Sequence, residues 1–484
     1  MTKRKIITLA ILAFVIAGAL VALSIITSLD NTSDELSPEP IERIFILGDQ
    51  LYTQPPSALT IEVQNAYGTF TIVNTNPDEL PHHFTVQDLE CFNLRSSRLA
   101  HAGSSVRSMP ALEILFYEGA NLSELGLLDP VATVSINYLD GTSATLLIGE
   151  TAPGGAGVYA MREGAPTVYL LSTSVSNYFM FRDLDFVETQ LTETFDILPD
   201  ISKAVLGGSV RPDYIVIERA PPTPGPAPIL TNSHVIVYPR QSRLHCVRGL
   251  EPIFYSYGLW ANRVEAKFES IDELSQWGLD DPYSTLEVIS VTHDSFKLIA
   301  TQPNEEGYVY LLRDGLPFVF SINSQQLPWL ELTYFEMMDH ILILPQIDTV
   351  SHIEIHLPNR KINITLEGEG QDLKIFVDGV PYEAQQGVDP VRNFRTLYMD
   401  FLLTRYESIP ENPMPPNSPI LLQFTYNYRD GRPSDTVTIY EGAARRVFVQ
   451  LNDETPMFGL SSFVDHLLRS IESFLAGEEV IGYS

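Results

Sequence analysis

The chain carries one motif twice, at a spacing typical of whole domains. Residues 126–130 read Gly-Leu-Leu-Asp-Pro, and residues 278–282 read Gly-Leu-Asp-Asp-Pro. Residues 159–169 and 310–320 then share the order Tyr, Arg, acidic residue, Gly and Pro. The offset is 152 residues for the first pair and 151 for the second. A repeat of this length indicates tandem modules of similar fold.

A third, diverged copy lies near the C-terminus. Residues 136–141 (Ile-Asn-Tyr-Leu-Asp-Gly) resemble residues 426–431 (Tyr-Asn-Tyr-Arg-Asp-Gly), but a Pro-rich segment at 412–419 replaces the Gly-Leu-x-x-Pro motif. We therefore predict three modules, at residues 43–190, at 191–343 with a Pro-rich insertion at 221–228, and at 344–484.

Each module is predicted to combine strands with helices. Short runs of β-branched and aromatic residues flank Asp140-Gly141, a pair that predicts a hairpin with a type I′ turn. Apolar residues recur at three- and four-residue spacing from Phe463 to Phe474, which predicts an amphipathic helix, with Ser462 and Asp465 as its N-cap pair. Helices that follow runs of antiparallel strands indicate an α+β fold class.

The repeated positions themselves read as turn chemistry. Glycines at tight turns supply a positive φ, and prolines flank strands, so the shared residues specify a fold rather than an active site. The motif residues on which this interpretation rests are Gly126, Asp129, Pro130, Gly141, Arg162, Gly164, Pro166, Gly278, Asp281, Pro282, Arg313, Gly315, Pro317 and Gly431.

The N-terminus predicts a membrane anchor. A basic cluster at residues 3–5 precedes an uncharged apolar run at 6–29. As a helix this run spans roughly 36 Å, enough for a hydrocarbon core of about 30 Å, and it is longer than the apolar region of a cleavable signal. We expect an uncleaved transmembrane helix within residues 1–29, a polar stalk at 30–42, a cytoplasmic N-terminus and an extracytoplasmic ectodomain.

Composition excludes two classes of partner. The chain has 30 Lys and Arg against 61 Asp and Glu, for a formal net charge of −31. A surface this acidic repels nucleic acid and anionic lipid headgroups. The two cysteines, Cys91 and Cys246, lie 155 residues apart, close to one repeat period. They therefore occupy nearly equivalent places in successive modules, and we expect two unpaired thiols rather than a disulfide.

Candidate chemical motifs are few. The glycines at 154–157 lie between predicted strands and open no helix, so a hairpin loop explains them better than a phosphate cradle. Adjacent side chains such as His82 and His83 point to opposite faces of an extended segment, so no metal site is expected there. No catalytic elbow, zinc-protease motif or phosphate-binding loop occurs, and we expect neither a cofactor nor an enzyme.

Some other residues are of types found in functional sites, but their sequence context argues against a functional role. His245-Cys246 lacks an orienting third group. Asp183 and Asp185 read as surface charges, and Asp280-Asp281 lacks a full set of oxygen ligands for calcium. Core packing is expected for the tryptophans, which would form a binding platform if exposed; they are Trp260, Trp277 and Trp329.

The order of these motifs resembles domain-of-unknown-function family 4340. The resemblance rests on Gly-Leu-x-x-Pro, a strand, Asp-Gly, a strand ending at residues 147–149, then Tyr159 and residues 168–170. It covers about residues 50–190, is partial in the second copy, where Thr292-His293 replaces Asp-Gly, and is faint in the third. It implies an anchored bacterial envelope protein, some relatives of which accompany ABC-transporter components, and it implies no catalytic residues.

Two functions are compatible with these features. The first is a non-catalytic interaction or scaffold protein of the bacterial cell envelope, with transporter components as candidate partners, because module arrays present large surfaces. The alternative is an ectodomain that binds a solute or glycan in a cleft between modules, which requires convergent polar groups in a pocket.

Overall fold

The computed structural model describes residues 44–47, 56–220, 233–245 and 248–483. The chain divides into two compact units, residues 1–188 and 189–484. Among the described residues, none of the helices is long and apolar enough to cross a membrane. The predicted anchor (1–29), stalk (30–42) and Pro-rich insertion (221–228) lie outside the described residues.

The first unit contains an eight-stranded antiparallel sheet, here called sheet 1. Two further strands, β1 (Phe45–Leu47) and β5 (Met109–Pro110), pair only with each other. The strands of sheet 1, in spatial order, are β4 (Phe84–Val86), β3 (Gly68–Asn74), β2 (Ala58–Asn65), β7 (Ala132–Tyr138), β8 (Ser143–Thr151), β9 (Val158–Arg162), β10 (Val168–Leu171) and β6 (Glu113–Phe116).

Two helices of the first unit pack on sheet 1. Helix α1 (Ser96–Arg107) contacts β2, β3 and β4, and α2 (Thr173–Met180) contacts β2, β7 and α1. The contact is close, since a Cβ added to Gly103 of α1 would lie 2.2 Å from the Phe84 ring. Buried side chains alternate along β7, so one face of the sheet forms the core against the helices.

The second unit contains a nine-stranded antiparallel sheet, sheet 2. Its helices are short: α3 (Glu251–Phe254), α4 (Tyr334–Met337) and a 3₁₀ helix at Ile271–Trp277. The strands, in spatial order, are β14 (Ser242–Arg243), β13 (His234–Tyr238), β12 (Ile215–Arg219), β11 (Ile201–Gly207), β16 (Ser284–Ser290), β17 (Phe296–Ala300), β18 (Tyr308–Arg313), β19 (Phe318–Asn323) and β15 (Arg263–Lys267).

The second unit also contains sheet 3, with eight antiparallel strands. Helices α5 (Pro390–Leu402) and α6 (Ser461–Leu475) pack on each other, with Phe394 against Phe474. The strands, in spatial order, are β23 (Val380–Pro381), β22 (Lys374–Val377), β21 (Arg360–Glu367), β20 (Val350–Leu357), β24 (Ile420–Tyr428), β25 (Asp435–Glu441), β26 (Arg446–Leu451) and β27 (Met457–Leu460).

All three sheets share one plan. A first meander begins with a central strand (β2, β11 or β20), and that strand pairs with the first strand of a second, four-stranded meander. Sheets 1 and 2 add one edge strand beyond the second meander, β6 and β15 respectively. The predicted α+β fold class with antiparallel strand modules is therefore confirmed, whereas the module boundaries at 190 and 343 stay predictions.

Some local predictions were wrong. The hairpin at Asp140-Gly141 exists, but only Gly141 has a positive φ, 83°, so the turn is not type I′. The Asp140 carboxylate instead accepts hydrogen bonds from the Thr142 N–H and hydroxyl, which closes a longer loop. Helix α6 begins at Ser461 directly after β27 and has no side-chain cap, so Ser462 lies inside the helix.

Candidate functional site

A cleft of the second unit lies where one connecting segment joins sheets 2 and 3. Residues 337–341 pair with residues 243–245 on one side, because Asp339 N–H donates to Arg243 O at 2.9 Å and His245 N–H donates to Met337 O at 2.8 Å. On the other side, Tyr406 N–H donates to His340 O at 2.9 Å. We call residues 337–341 the bridging segment.

The hydrogen-bonded path continues into sheet 3. Glu407 N–H donates to Phe458 O at 2.7 Å, and Phe458 N–H donates to Ser408 O at 2.9 Å. Phe458 belongs to the edge strand β27, so main-chain pairing runs from the edge of sheet 2 to the edge of sheet 3. The cleft walls are consequently held by backbone bonds rather than by side chains alone.

The cleft has a volume of about 310 Å³ and brings together distant parts of the chain. Arg240 lies in the β13–β14 turn, Arg243 in β14, Tyr334 in α4, and Glu454 in the β26–β27 turn. Tyr406 and Asp435 also line the cleft. The apolar part of the lining consists of Met338, Leu342, Ile343, Leu451 and Met457. The volume lies at the lower end of the range of about 300–1,000 Å³ that is usual for small-molecule sites.

Most of the charged groups in the cleft are satisfied by the protein itself. Arg243 Nη2 donates to Leu342 O at 2.6 Å, contacts Ile341 O, and lies 3.6 Å from the Asp339 carboxylate. Asp435 accepts hydrogen bonds from the Tyr428 hydroxyl at 2.6 Å and from the Asn452 side-chain amide at 3.0 Å. These groups build the cleft walls.

Two ionic groups in the cleft remain available. Arg240 Nη1 is buried and has no hydrogen-bond partner within the described part of the chain. The Glu454 carboxylate accepts one hydrogen bond, from the Tyr406 hydroxyl at 3.2 Å. Desolvation raises the pKa of Glu454, although the Tyr406 hydrogen bond and the charges of Arg243 and Arg240 oppose this rise. Desolvation likewise raises the pKa of Tyr334, whose hydroxyl faces Ser242 and Arg240.

A second cavity of about 360 Å³ adjoins the same bridging segment. Its lining includes His245, Arg248, His340, Arg405 and Glu407. His245 therefore lies beside a cavity, but Cys246, its neighbour in the candidate nucleophile pair, lies outside the described residues. The pair stays an unsupported candidate.

Asp400, His466 and Ser470 have the composition of a hydrolase triad but not its geometry. His466 Nε2 lies 3.1 Å from Asp400 Oδ2 and 3.2 Å from Ser470 Oγ, so a single ring nitrogen faces both partners. Ser470 Oγ itself donates to Asp400 Oδ2 at 2.7 Å and is buried. Asp400 also accepts from Tyr483 N–H at 3.0 Å, so the cluster joins α5, α6 and the C-terminal residues. This arrangement is structural, since a triad needs separate nitrogens for base and orienting group.

The repeated motif builds the same small apolar cluster in sheets 1 and 2. Leu127, Met161 and Val168 form the cluster of sheet 1, and Tyr159, Leu147 and Leu125 pack against it. In sheet 2 the cluster consists of Leu279, Leu312, Val319 and Leu274, against which Tyr310, Ile299 and Trp277 pack. The equivalent positions differ by 151 or 152 residues, so the repeat encodes packing.

The motif glycines lie at turns, and Arg162 and Arg313 are the last residues of β9 and β18. The motif glycines have φ between 67° and 85°, namely Gly126, Gly141, Gly164, Gly278, Gly315 and Gly431. Arg162 and Asp129 are exposed, as are Asp281 and Pro166, whereas Pro130, Pro282, Arg313 and Pro317 are partly buried. The structure does not gather these side chains into a pocket of either unit among those described above.

The remaining candidates have structural surroundings. His82 contacts the Ser57 hydroxyl at 2.6 Å, and Asp185 bonds the Arg182 N–H and guanidinium, each at 3.0 Å. Trp329 is fully buried, and Trp277 packs 4.8 Å from the Tyr310 ring centroid. Trp260 is 47% exposed, so the expectation of core packing was wrong for it. Cys91 is exposed and free. Within the described ranges, no group of three metal-ligating side chains occurs.

Comparison with known families bears on the first unit and the residues that follow it. Residues 86–197 match the profile of the family described as domain of unknown function (DUF4340). The resemblance is thus confirmed over residues 86–197. The DUF4340 match begins at the last residue of β4 and includes α1, β6 to β10 and the first repeat motif. No curated protein and no solved structure matches the chain.

Sequence reasoning missed Arg240, Tyr334, Tyr406 and Glu454. These residues belong to no motif. Arg240 and Tyr406 are separated in the sequence by more than one whole repeat. The Asn-Asp-Glu turn at 452–454 carries the only local signal, an acidic residue in a tight turn between strands.

Proposed function

We propose that the chain is a membrane-anchored, extracytoplasmic and non-catalytic interaction protein of the bacterial cell envelope, with an ABC-transporter component as a candidate partner. The anchor and location rest on the sequence of residues 1–29, and the envelope assignment follows from them together with what the family resemblance implies. The observation that carries the interaction is the exposed edge of sheet 1.

Strand β6 forms this edge and is apolar apart from its first residue, the exposed Glu113. It pairs with β10, and among the described residues it has no second neighbour in the sheet. Leu112, Phe116 and Tyr117, on or beside the strand, are 55%, 42% and 71% exposed. An edge strand with unpaired main-chain groups and apolar side chains is suited to pairing with an extended segment of another protein.

The other two sheets protect the corresponding edge. In sheet 2 the edge strand β15 presents exposed Arg263 and Lys267, and charges of this kind discourage pairing. In sheet 3 the edge strand β27 is bridged by Ser408. This difference between the sheets favours β6 as the strand with which an extended, apolar segment of a partner protein pairs.

Crosslinking in native membranes tests this proposal. A partner should be captured reproducibly by the full chain. Its capture should be lost on the double change of Phe116 and Tyr117 to Lys, because charged side chains on an edge strand disfavour pairing with another strand. The matched control is Ile271→Lys, an equally exposed apolar residue in the second unit. If the β6 change leaves capture of the partner unaffected, or if no partner is captured reproducibly, the proposed interaction function is contradicted.

The alternative function is binding of a solute or glycan in the cleft of the second unit. The cleft of about 310 Å³, with one unpartnered guanidinium nitrogen and one partly desolvated carboxylate, favours it. Titration of the purified chain with small solutes and oligosaccharides tests it, and absence of binding by any of them would remove this candidate.

A further inference from the structure

The available groups in the cleft have opposite charge. Arg240 Nη1 is a buried donor without a partner in the described part of the chain. A buried donor that is left unsatisfied is costly, and a carboxylate is the acceptor that a guanidinium binds most strongly. Arg240 therefore favours a ligand with an anionic group.

Glu454 supplies the complementary charge. One oxygen of its carboxylate accepts the Tyr406 hydroxyl, which leaves acceptor capacity on the other oxygen. Glu454 as a residue is exposed, and partial desolvation of its carboxyl group on the cleft side raises the pKa. An ammonium group placed beside Glu454 would restore the lost stabilisation of the ionised form.

The other charges in the cleft do not compete for a ligand. Arg243 is bound to main-chain oxygens of the bridging segment and its neighbour, and Asp435 is bound by Tyr428 and Asn452. The cleft thus offers one cationic and one anionic group, with an apolar lining that includes Met338 and Met457.

A neutral sugar fits this arrangement less well. Two tyrosines line the cleft: Tyr406 is only 4% exposed and its hydroxyl is bonded to Glu454, and Tyr334 is half-buried. A neutral sugar would bring no charge to Arg240 or to Glu454, whereas a zwitterion brings an opposite charge to each of them.

We infer that the cleft binds a small zwitterionic solute, with the acidic group of the solute on Arg240 and its ammonium group on Glu454. This inference rests on the alternative function, solute binding in the cleft, and it narrows the ligand to compact molecules of the amino-acid class.

Calorimetric titration of the purified full-length chain tests the inference. The probes are free L-amino acids, with acetate and ethylammonium as single-charge fragments and a gluco-oligosaccharide as the neutral comparison. At least one amino acid should bind about tenfold or more tightly than either fragment, because two charge-assisted contacts replace one.

Variants of Arg240 and Glu454 test which of these residues binds each charged group of the solute. Arg240→Gln should weaken amino-acid and acetate binding alike, by about tenfold or more, whereas Glu454→Gln should weaken amino-acid binding and leave acetate binding unchanged. The matched controls Arg469→Gln and Glu479→Gln, at exposed positions of the same unit, should bind like the parent chain. Melting temperatures no lower than that of the parent chain exclude loss of folding as the cause.

Two negative results have different meanings. Binding of the oligosaccharide but not of amino acids would overturn the zwitterion inference while leaving the cleft as a binding site. No binding of any probe would remove both the inference and the alternative function on which it rests.

Discussion

Arg211 donates a hydrogen bond from Nε to the main-chain oxygen of Leu332 at 2.7 Å, across 121 residues of sequence. Its Nη atoms also donate to the oxygens of Gly207, Trp329 and Leu330 and to the Ser284 hydroxyl. Burial lowers the pKa of Arg211 to about 10, so the side chain stays charged at neutral pH. One buried guanidinium therefore fixes the segment after β19 against the end of β11.

Replacing Arg211 should destabilise the second unit strongly. Arg211→Met leaves several buried carbonyl oxygens without a donor, and we expect a loss of at least about 3 kcal/mol in the free energy of unfolding. Urea unfolding followed by tryptophan fluorescence measures this, because all 3 tryptophans lie in the second unit. The control Arg219→Met removes an exposed ion pair with Asp200 and should cost under about 1 kcal/mol. Equal effects of the two changes would contradict the assigned role.

His234 should make stability depend on pH. Burial lowers the pKa of this histidine, Arg219 adds to the effect, and the hydrogen bond to Ile201 O at 2.7 Å opposes it. The unfolded chain binds a proton here below about pH 6.5, whereas the folded chain does so only at lower pH. The contribution of His234 is therefore fully present above about pH 6.5 and is lost as the pH falls towards the folded pKa.

The measurement compares urea unfolding of the parent chain and His234→Gln at several pH values between about 5 and 8. The parent should lose more stability than the variant as the pH falls. Parallel curves for the two proteins would show that His234 is not the group responsible.

Glu454 should give the stability of the folded chain the opposite dependence on pH. Its folded pKa is raised above the ordinary value of 4.5, so protonation favours the folded state, and this stability is lost as the pH rises through the folded pKa. Glu454→Gln should raise the melting temperature at neutral pH, and the gain should vanish below about pH 4. Glu479→Gln, at an exposed position, serves as control. A lower melting temperature for Glu454→Gln at neutral pH would contradict the expected desolvation cost.

The repeated motif can be tested by separating its apolar and polar positions. Leu127→Ala opens a cavity in the cluster with Met161 and Val168, and we expect a loss of about 2–4 kcal/mol. Asp129→Ala changes an exposed side chain and should alter stability by less than about 0.5 kcal/mol. Hydrogen exchange of the first unit measures both, since this unit contains no tryptophan. A folded Asp129→Ala chain that loses partner capture would assign the motif a binding role.

The strands were predictable because local patterns encode them. Alternating burial along β20 follows the alternation of Ile353 and Ile355 with polar residues, and a period of two is a direct signature of a half-buried strand. The repeat likewise predicted equivalent packing, because Leu127 and Leu279 occupy the same place in sheets 1 and 2.

The cleft was not predictable because it is made by tertiary contacts. Arg240, Tyr406 and Glu454 meet only because the bridging segment pairs with residues of both sheets. The prediction of a type I′ turn at Asp140 was wrong for a more local reason. The Asp140 carboxylate accepts a hydrogen bond from Thr142, and Asp140 does not adopt the positive φ that a type I′ turn requires. Side-chain competition of this kind is invisible to dipeptide rules.

The bridging segment determines how the second unit comes apart. A break in the chain after residue 343 would not release two independent pieces, because the Tyr406 N–H donates to His340 O and the Leu342 N–H donates to Thr404 O across the break. Sheets 2 and 3 should consequently melt in a single calorimetric transition, and limited proteolysis should yield a nicked but undivided particle. A shortened relative that ended after one of these two sheets would have to rebuild the exposed edge before it could persist as a soluble fold.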